Sequence, residues 1–316
     1  MAASDLASVI DTLNRNIALE HSAIVQYLLH AYAMGEGGVG AEVINIARAE
    51  MRHLKYFADV VVDLGGDPAV HARAEMFLEA DSAAAMMRNG VAAEEGAIRE
   101  YSAALASLDH PVAQRVIERV ILDEQFHRHQ FVGFVAEVGD AATAFPVPPP
   151  ADEAARKATA LLDEAVNGEY RGILLAVREY LRSRDFKRRD RFEEVMLWAM
   201  KHVGLLADEV SERRAQVALL DLPDIPPVSG AAALDEAIAQ EEARAALYSR
   251  LATELLEPDL RQLLSNLAGH EAYDLAELRF EAHDLAARAL AGAARCPFHA
   301  PPPAATVGSL MGRPQP

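Results

Sequence analysis

The sequence of 316 residues contains a single cysteine. No disulfide can form within it, which excludes a secreted disulfide scaffold and fits a reducing cytosol. Aromatic residues make up only 6% and alanine is abundant, which favours packed helices over sheet. Positive charge is also scarce. Thirty Lys and Arg face 48 Asp and Glu, a formal net charge of −18. A general nucleic-acid binder needs a basic footprint and is excluded, whereas attraction of metal cations is compatible with this balance. No uncharged apolar run reaches the roughly 18 residues of a membrane span. The first twelve residues carry Asp5 and Asp11 and no basic stretch, so no secretory signal is expected. What remains is 51% hydrophobic and 25% charged, the mixture of a well-cored protein of about two domains.

Apolar residues recur at helical spacing in four long segments of the first 140 residues: Ser4–Met34, Ala41–Leu64, Asp81–Leu108 and Val112–Val138. Glycine-rich or proline-containing turns end them. The stretch Asp67–Ala80 is long enough to cross the length of a bundle, and four helices with one long crossover form a known bundle connectivity. Residues Gly139–Pro150 include four prolines, Pro146, Pro148, Pro149 and Pro150, and read as an extended linker. Four more helical segments follow, about Asp152–Ser183, Arg188–Leu220, Ala231–Glu257 and Pro258–Leu290, with a proline-containing loop at Leu222–Gly230. The layout occurs twice, which indicates duplication of a whole domain.

Two Glu-x-x-His patterns stand out, Glu50 with His53 and Glu124 with His127. Residues three apart share a helix face, so each pair can aim an oxygen and a nitrogen at one point. Glu20 precedes Glu50 by 30 residues and Glu94 precedes Glu124 by 30, and each lone glutamate has a tyrosine seven residues on, Tyr27 and Tyr101. One Glu from each of two helices plus Glu-x-x-His from each of the other two is the ligand set of a dinuclear carboxylate site. Four carboxylates and two imidazoles suit iron or manganese. A single helical Glu is ordinarily a solvated surface residue. These four lie on otherwise apolar faces, where a carboxylate is costly unless paired or metal-bound.

The run Leu13-Asn14, Glu20-His21, Gln26-Tyr27-Leu28-Leu29-His30-Ala31, then Glu50-Met51-Arg52-His53 and Glu124-Gln125-Phe126-His127, resembles bacterioferritin and its ferritin-like relatives over roughly residues 4–138. The resemblance implies a four-helix bundle and oxidation of ferrous iron by oxygen or peroxide at a di-iron centre. The ligands would be Glu20, Glu50, His53, Glu94, Glu124 and His127, with Glu50 and Glu124 bridging. Met51 stands where the family places a haem-ligating methionine. A methionine in an alanine-rich helix is more often ordinary packing, and haem is not expected.

The second half repeats the pattern with losses. An offset of 149 takes Glu20, Glu50 and His53 to Glu169, Ala199 and His202. An offset of 147 takes Glu94, Tyr101, Glu124 and His127 to Glu241, Tyr248, Glu271 and Asp274. Two readings are open: a degenerate metal site through Glu169, His202, Glu241, Glu271 and Asp274, or a scaffold standing in for the second protomer of a ferritin-like dimer. The missing bridge at Ala199 favours the scaffold.

The C-terminal residues 291–316 carry no core face and are expected to be flexible. A single Cys296 beside His299 makes a poor closed metal site. The final segment, Thr306-Val307-Gly308-Ser309-Leu310-Met311-Gly312-Arg313, resembles the cargo-loading peptide of encapsulin nanocompartments. Val307 and Leu310 would anchor it in a groove of the shell wall, Gly308 would permit the turn, Ser309 lies between the anchors, and Arg313 would add a charge contact. The expected architecture is all-α: two tandem ferritin-like four-helix bundles, 1–140 and 152–290, joined by a linker at 141–151, with a flexible tail from 291. The expected function is a cytoplasmic di-iron ferroxidase enclosed in an encapsulin shell, using Fe(II) and oxygen or peroxide for iron storage and detoxification. Neither nucleic acid nor membrane is an expected partner, and a homo-oligomer is compatible with this reading. A di-iron oxygenase or oxidase of an organic substrate and a dimanganese catalase would use the same ligands. A non-enzymatic alternative is an encapsulated scaffold with a structural metal.

Overall fold

A computed structural model describes residues 3–35, 37–140, 142–255 and 257–293. The cargo-loading segment, Val307 to Arg313, and the Cys296–His299 pair lie outside the described residues. Eight helices are present among the described residues: α1 Ala3–Met34, α2 Gly38–Asp63, α3 Ala83–Ser107, α4 Pro111–Val138, α5 Glu153–Arg182, α6 Phe186–Glu212, α7 Ala231–Glu254 and α8 Pro258–Ala293. None of them is long and apolar enough to cross a membrane.

Local chemistry sets the ends of these helices. Ser82 caps α3 by accepting from Ala85 N, and Asp152 and Asp185 cap α5 and α6 in the same way. His110 caps α4 ahead of Pro111, whose missing N–H is an orphan donor at that position in any case. Helix α2 ends at Gly65, whose φ of 82° suits glycine, while Gly66 N bonds back to Val61 O at 2.8 Å.

The chain forms two tandem four-helix bundles. In the first, α1 pairs with α2 and α3 with α4, while α1 also packs on α3 and α2 on α4. In the second, α5 pairs with α6 and α7 with α8, while α5 packs on α7 and α6 on α8. The pattern is the same under the duplication. Between the bundles α1 meets α6 and α2 meets α5, the reciprocal exchange expected of a pseudo-two-fold contact. One apolar core runs through the junction, joining Val25 and Val43 of the first bundle to Leu162, Val203 and Leu206 of the second. His21 and Tyr170, equivalent positions in the two copies, meet there at 2.5 Å.

Two features depart from the sequence expectation. The segment after α4 contains a strand, β2 Ala142–Phe145, which pairs antiparallel with β1 Ala80–Ser82 at the end of the first crossover. Phe145 is buried, so this part of the linker is anchored to the first bundle. Helix α6 stops at Glu212, short of the expected Leu220. Arg214 adopts a φ of 50°, and beyond it Ala215, Val217 and Leu219 are buried in alternation, the period of extended chain.

Candidate metal centre

The glutamates of the first bundle each come from a different helix: Glu20 from α1, Glu50 from α2, Glu94 from α3 and Glu124 from α4. All four are 1% exposed. Helical spacing then places His53 and His127 one turn beyond Glu50 and Glu124, facing the same point. The ligand atoms of Glu50, His53, Glu124 and His127 lie within 4.8 Å of one another. Glu50 offers one oxygen to each imidazole, at 2.8 Å from His53 Nδ1 and 2.8 Å from His127 Nδ1. Glu124 does the same at 3.1 Å and 3.1 Å. The imidazoles stack at 5.6 Å. Glu20 Oε2 stands 3.7 Å from His53 Nδ1.

The tyrosines explain their seven-residue spacing. Tyr27 of α1 donates to Glu94 of α3, and Tyr101 of α3 donates to Glu20 of α1, both at 2.6 Å. Each helix thus orients the carboxylate of the other. His53 Nε2 lies 3.4 Å from Asp123 Oδ2, an outer partner the sequence reading did not single out. Asp123 precedes Glu124 directly, and that adjacency was the available signal.

No lysine or arginine among the described residues forms an ion pair with these four glutamates. Burial, together with neighbouring carboxylates, pushes Glu20 and Glu94 well above the usual carboxylate range. Burial disfavours the charged imidazoles, but the surrounding carboxylates outweigh it, raising His127 to about 9 and His53 higher still. Burial likewise opposes ionisation of Glu124, yet hydrogen bonds from His127 and His53 bring it down to about 2. Glu20, Glu94, His53 and His127 therefore favour their protonated forms, and a cation would displace those protons. Glu50 Oε1 is buried and, although 2.8 Å from His127 Nδ1, accepts no well-aligned hydrogen bond, which leaves a lone pair for a cation. The donor set of four carboxylates and two imidazoles fits a pair of iron or manganese ions.

The second bundle differs at its centre. Glu169, His202 and Glu271 converge within 4.8 Å, with His202 Nδ1 at 3.0 Å from Glu169 and 2.9 Å from Glu271. Tyr248 donates to Glu169. Glu241 is buried beside them. Asp274 is buried but is not one of the converging groups; burial raises it to about 6. The residue that sequence reasoning missed is Arg244. Its guanidinium bonds Glu271 through Nε at 2.8 Å and Glu241 through Nη2, with Glu169 Oε2 at 3.6 Å from Nε. Burial opposes its charge, but the three carboxylates hold it protonated. The available signal was Glu241-x-x-Arg244, an arginine one turn from a buried glutamate where the first copy has Ala97.

The chain is similar to known proteins. A ferritin-like family profile matches residues 13–93. Bacterioferritin of Desulfovibrio desulfuricans is 31% identical over 127 residues, covering 38% of this chain and 70% of the relative. An X-ray structure of the D. desulfuricans bacterioferritin, describing its diiron site in different catalytic states, aligns at 28% identity and a TM-score of 0.41, over 43% of this chain and 82% of that one. With a relative matched at this identity over most of its length, the chain belongs to the bacterioferritin family of ferritin-like proteins.

Proposed function

We propose that the first bundle is a ferroxidase centre whose substrate is Fe(II) and whose oxidant is oxygen or peroxide. The observation that carries this reading is the geometry of Glu50 and Glu124, each placing one oxygen at each imidazole Nδ1. Two carboxylates that reach both imidazoles are disposed to bridge two cations, one beside each histidine. Glu20 would complete the position at His53, and Glu94 the position at His127. An iron pair held there supplies two electrons to the oxidant. The protein fixes the carboxylates through Tyr27 and Tyr101, surrounds the site with apolar side chains, and takes up or releases protons at His53, His127, Glu20 and Glu94 as iron enters and leaves.

The second bundle serves as scaffold, covering the face of α1 and α2 that would otherwise need a second protomer. Domain limits near 1–140 and 152–290 follow from this division. Residues 306–313 are read as the address that loads the chain into an encapsulin shell in the cytoplasm, where oxidised iron is stored. Manganese could occupy the same ligands, and haem is not part of the reading.

The test is Glu50→Ala, which imposes on the first bundle the loss present at Ala199. Loss of an outer partner alone typically costs about 10- to 100-fold in metal affinity or activity. Loss of a bridging ligand should cost at least that in Fe(II) oxidation rate, measured by stopped-flow absorbance, with helicity unchanged. Wild-type rates in this variant would overturn the assignment.

A further inference from the structure

The centre of the second bundle holds a cation supplied by the chain itself. We propose that the guanidinium of Arg244 takes the place of metal there, closing the centre to metal and masking a divalent-cation site made by Glu169, His202, Glu241 and Glu271. This inference stands on the second bundle alone and does not depend on iron oxidation in the first.

The site is built for an arginine. Arg244 is 4% exposed, and its bonds reach carboxylates on two helices, Glu241 on α7 and Glu271 on α8, with Glu169 of α5 alongside. Nη1 turns toward the carbonyl of Gly168 at 3.4 Å. A planar cation with five donors is suited to several carboxylates at once.

Replacements at equivalent positions supply the room. Tyr27 becomes Ala176, and Glu50 becomes Ala199, so a ring and a carboxylate are both gone. Leu19 becomes Gly168, and Ala23 becomes Gly172. A Cβ at Gly172 would stand 2.7 Å from Arg244 Nη1 and 3.2 Å from Cζ, so even alanine would press on the guanidinium. Ala97 becomes Arg244 itself. The hydroxyl that Tyr27 gives Glu94 has no counterpart at Ala176, and Glu241 receives the Arg244 guanidinium instead.

Metal entry would have to displace a hydrogen-bonded guanidinium and leave it buried without its carboxylates, which is strongly unfavourable. Removing the arginine reverses the situation. Glu169 Oε2 and Glu241 Oε2 already lack hydrogen-bond partners, and with Arg244 gone three buried carboxylates and an imidazole would be left to recruit a cation.

The experiment uses full-length protein in which Glu50→Ala and His127→Ala disable the first centre, with Co(II) as the probe. Binding is followed by the visible absorption of tightly bound Co(II) and by metal analysis after gel filtration. With Arg244 intact, no Co(II) should be retained. Arg244→Leu should retain about one per chain, and Arg244→Lys, which keeps the charge, should retain none. Retention of Co(II) with Arg244 intact would overturn the proposal, as would a folded Arg244→Leu variant that binds none. Should Arg244→Leu not fold without metal, refolding in Co(II) decides: recovery of folded, Co(II)-loaded protein supports the masked site, and failure to recover refutes it.

Discussion

At the residue scale, the proposed centre is a set of acids and imidazoles whose protons a bound cation would replace. His127 is raised to about 9 and His53 further by their carboxylates, while Glu20 and Glu94 are raised mainly by burial. These groups hold their protons at neutral pH in the metal-free protein. Divalent metal must expel them, so binding should release protons and apparent affinity should rise with pH toward about 9. Titration with Co(II) in weak buffer, read with a pH indicator, checks both statements. An affinity independent of pH between about 6 and about 9 would contradict them. The burial of Glu20, Glu50, His53, Glu94, Glu124 and His127 was legible in the sequence, because i and i+3 spacing and the paired 30-residue intervals are local patterns. Arg244 was not legible in the same way. Its meaning depends on space left by Gly172, Ala176 and Ala199, which lie on other helices.

At the element scale, the close approach of α5 and α7 depends on Gly172. Gly172→Ala would force its methyl against Arg244, and overpacking of this kind costs about 1–3 kcal/mol. Helix propensity alone would give the opposite sign, since alanine is favoured over glycine by roughly 1 kcal/mol in a helix. Thermal or denaturant unfolding therefore distinguishes the two: destabilisation confirms the tight contact, and stabilisation removes it. The helices themselves followed from 3.6-residue spacing and from glycine and proline at their ends. The β1–β2 pairing did not, because strands of three and four residues show no periodicity and pair across the whole α3–α4 hairpin. The early end of α6 had a visible trace in the alternation of Ala215, Val217 and Leu219, but the same residues also fit a continued apolar helix face.

At the scale of the whole molecule, duplication makes one chain resemble two protomers sharing a core. Burial keeps His21 at the junction and His30 beside Phe145 neutral, lowering each to about 4. The unfolded chain takes up protons near the ordinary value of 6.5, so stability falls as pH drops from about 6.5 to about 4, by on the order of 3 kcal/mol for each imidazole. The thermal midpoint should decline across this window, and His30→Gln should flatten the decline; an unchanged slope would show that His30 is not held neutral. The proposed delivery into a shell is tested separately. Removal of Ala304–Pro316 should leave folding and iron oxidation intact and abolish co-purification with a co-expressed encapsulin shell. Leu310→Asp should weaken loading strongly by placing an unpaired charge in an apolar groove. Full occupancy of shells by the truncated chain would refute the address. The duplication was legible from the near-constant offset between copies, whereas the way the bundles meet was not, since α1–α6 and α2–α5 contacts leave no local pattern. The central claim, that the first bundle oxidises Fe(II), is tested most directly by loading metal-free protein with Fe(II) under anaerobic conditions and measuring oxygen uptake on mixing. The account predicts rapid oxidation of about two Fe(II) per chain, lost in Glu50→Ala and retained in Arg244→Lys. Oxygen uptake no faster than that of Fe(II) in buffer, or equally fast in Glu50→Ala, would contradict it.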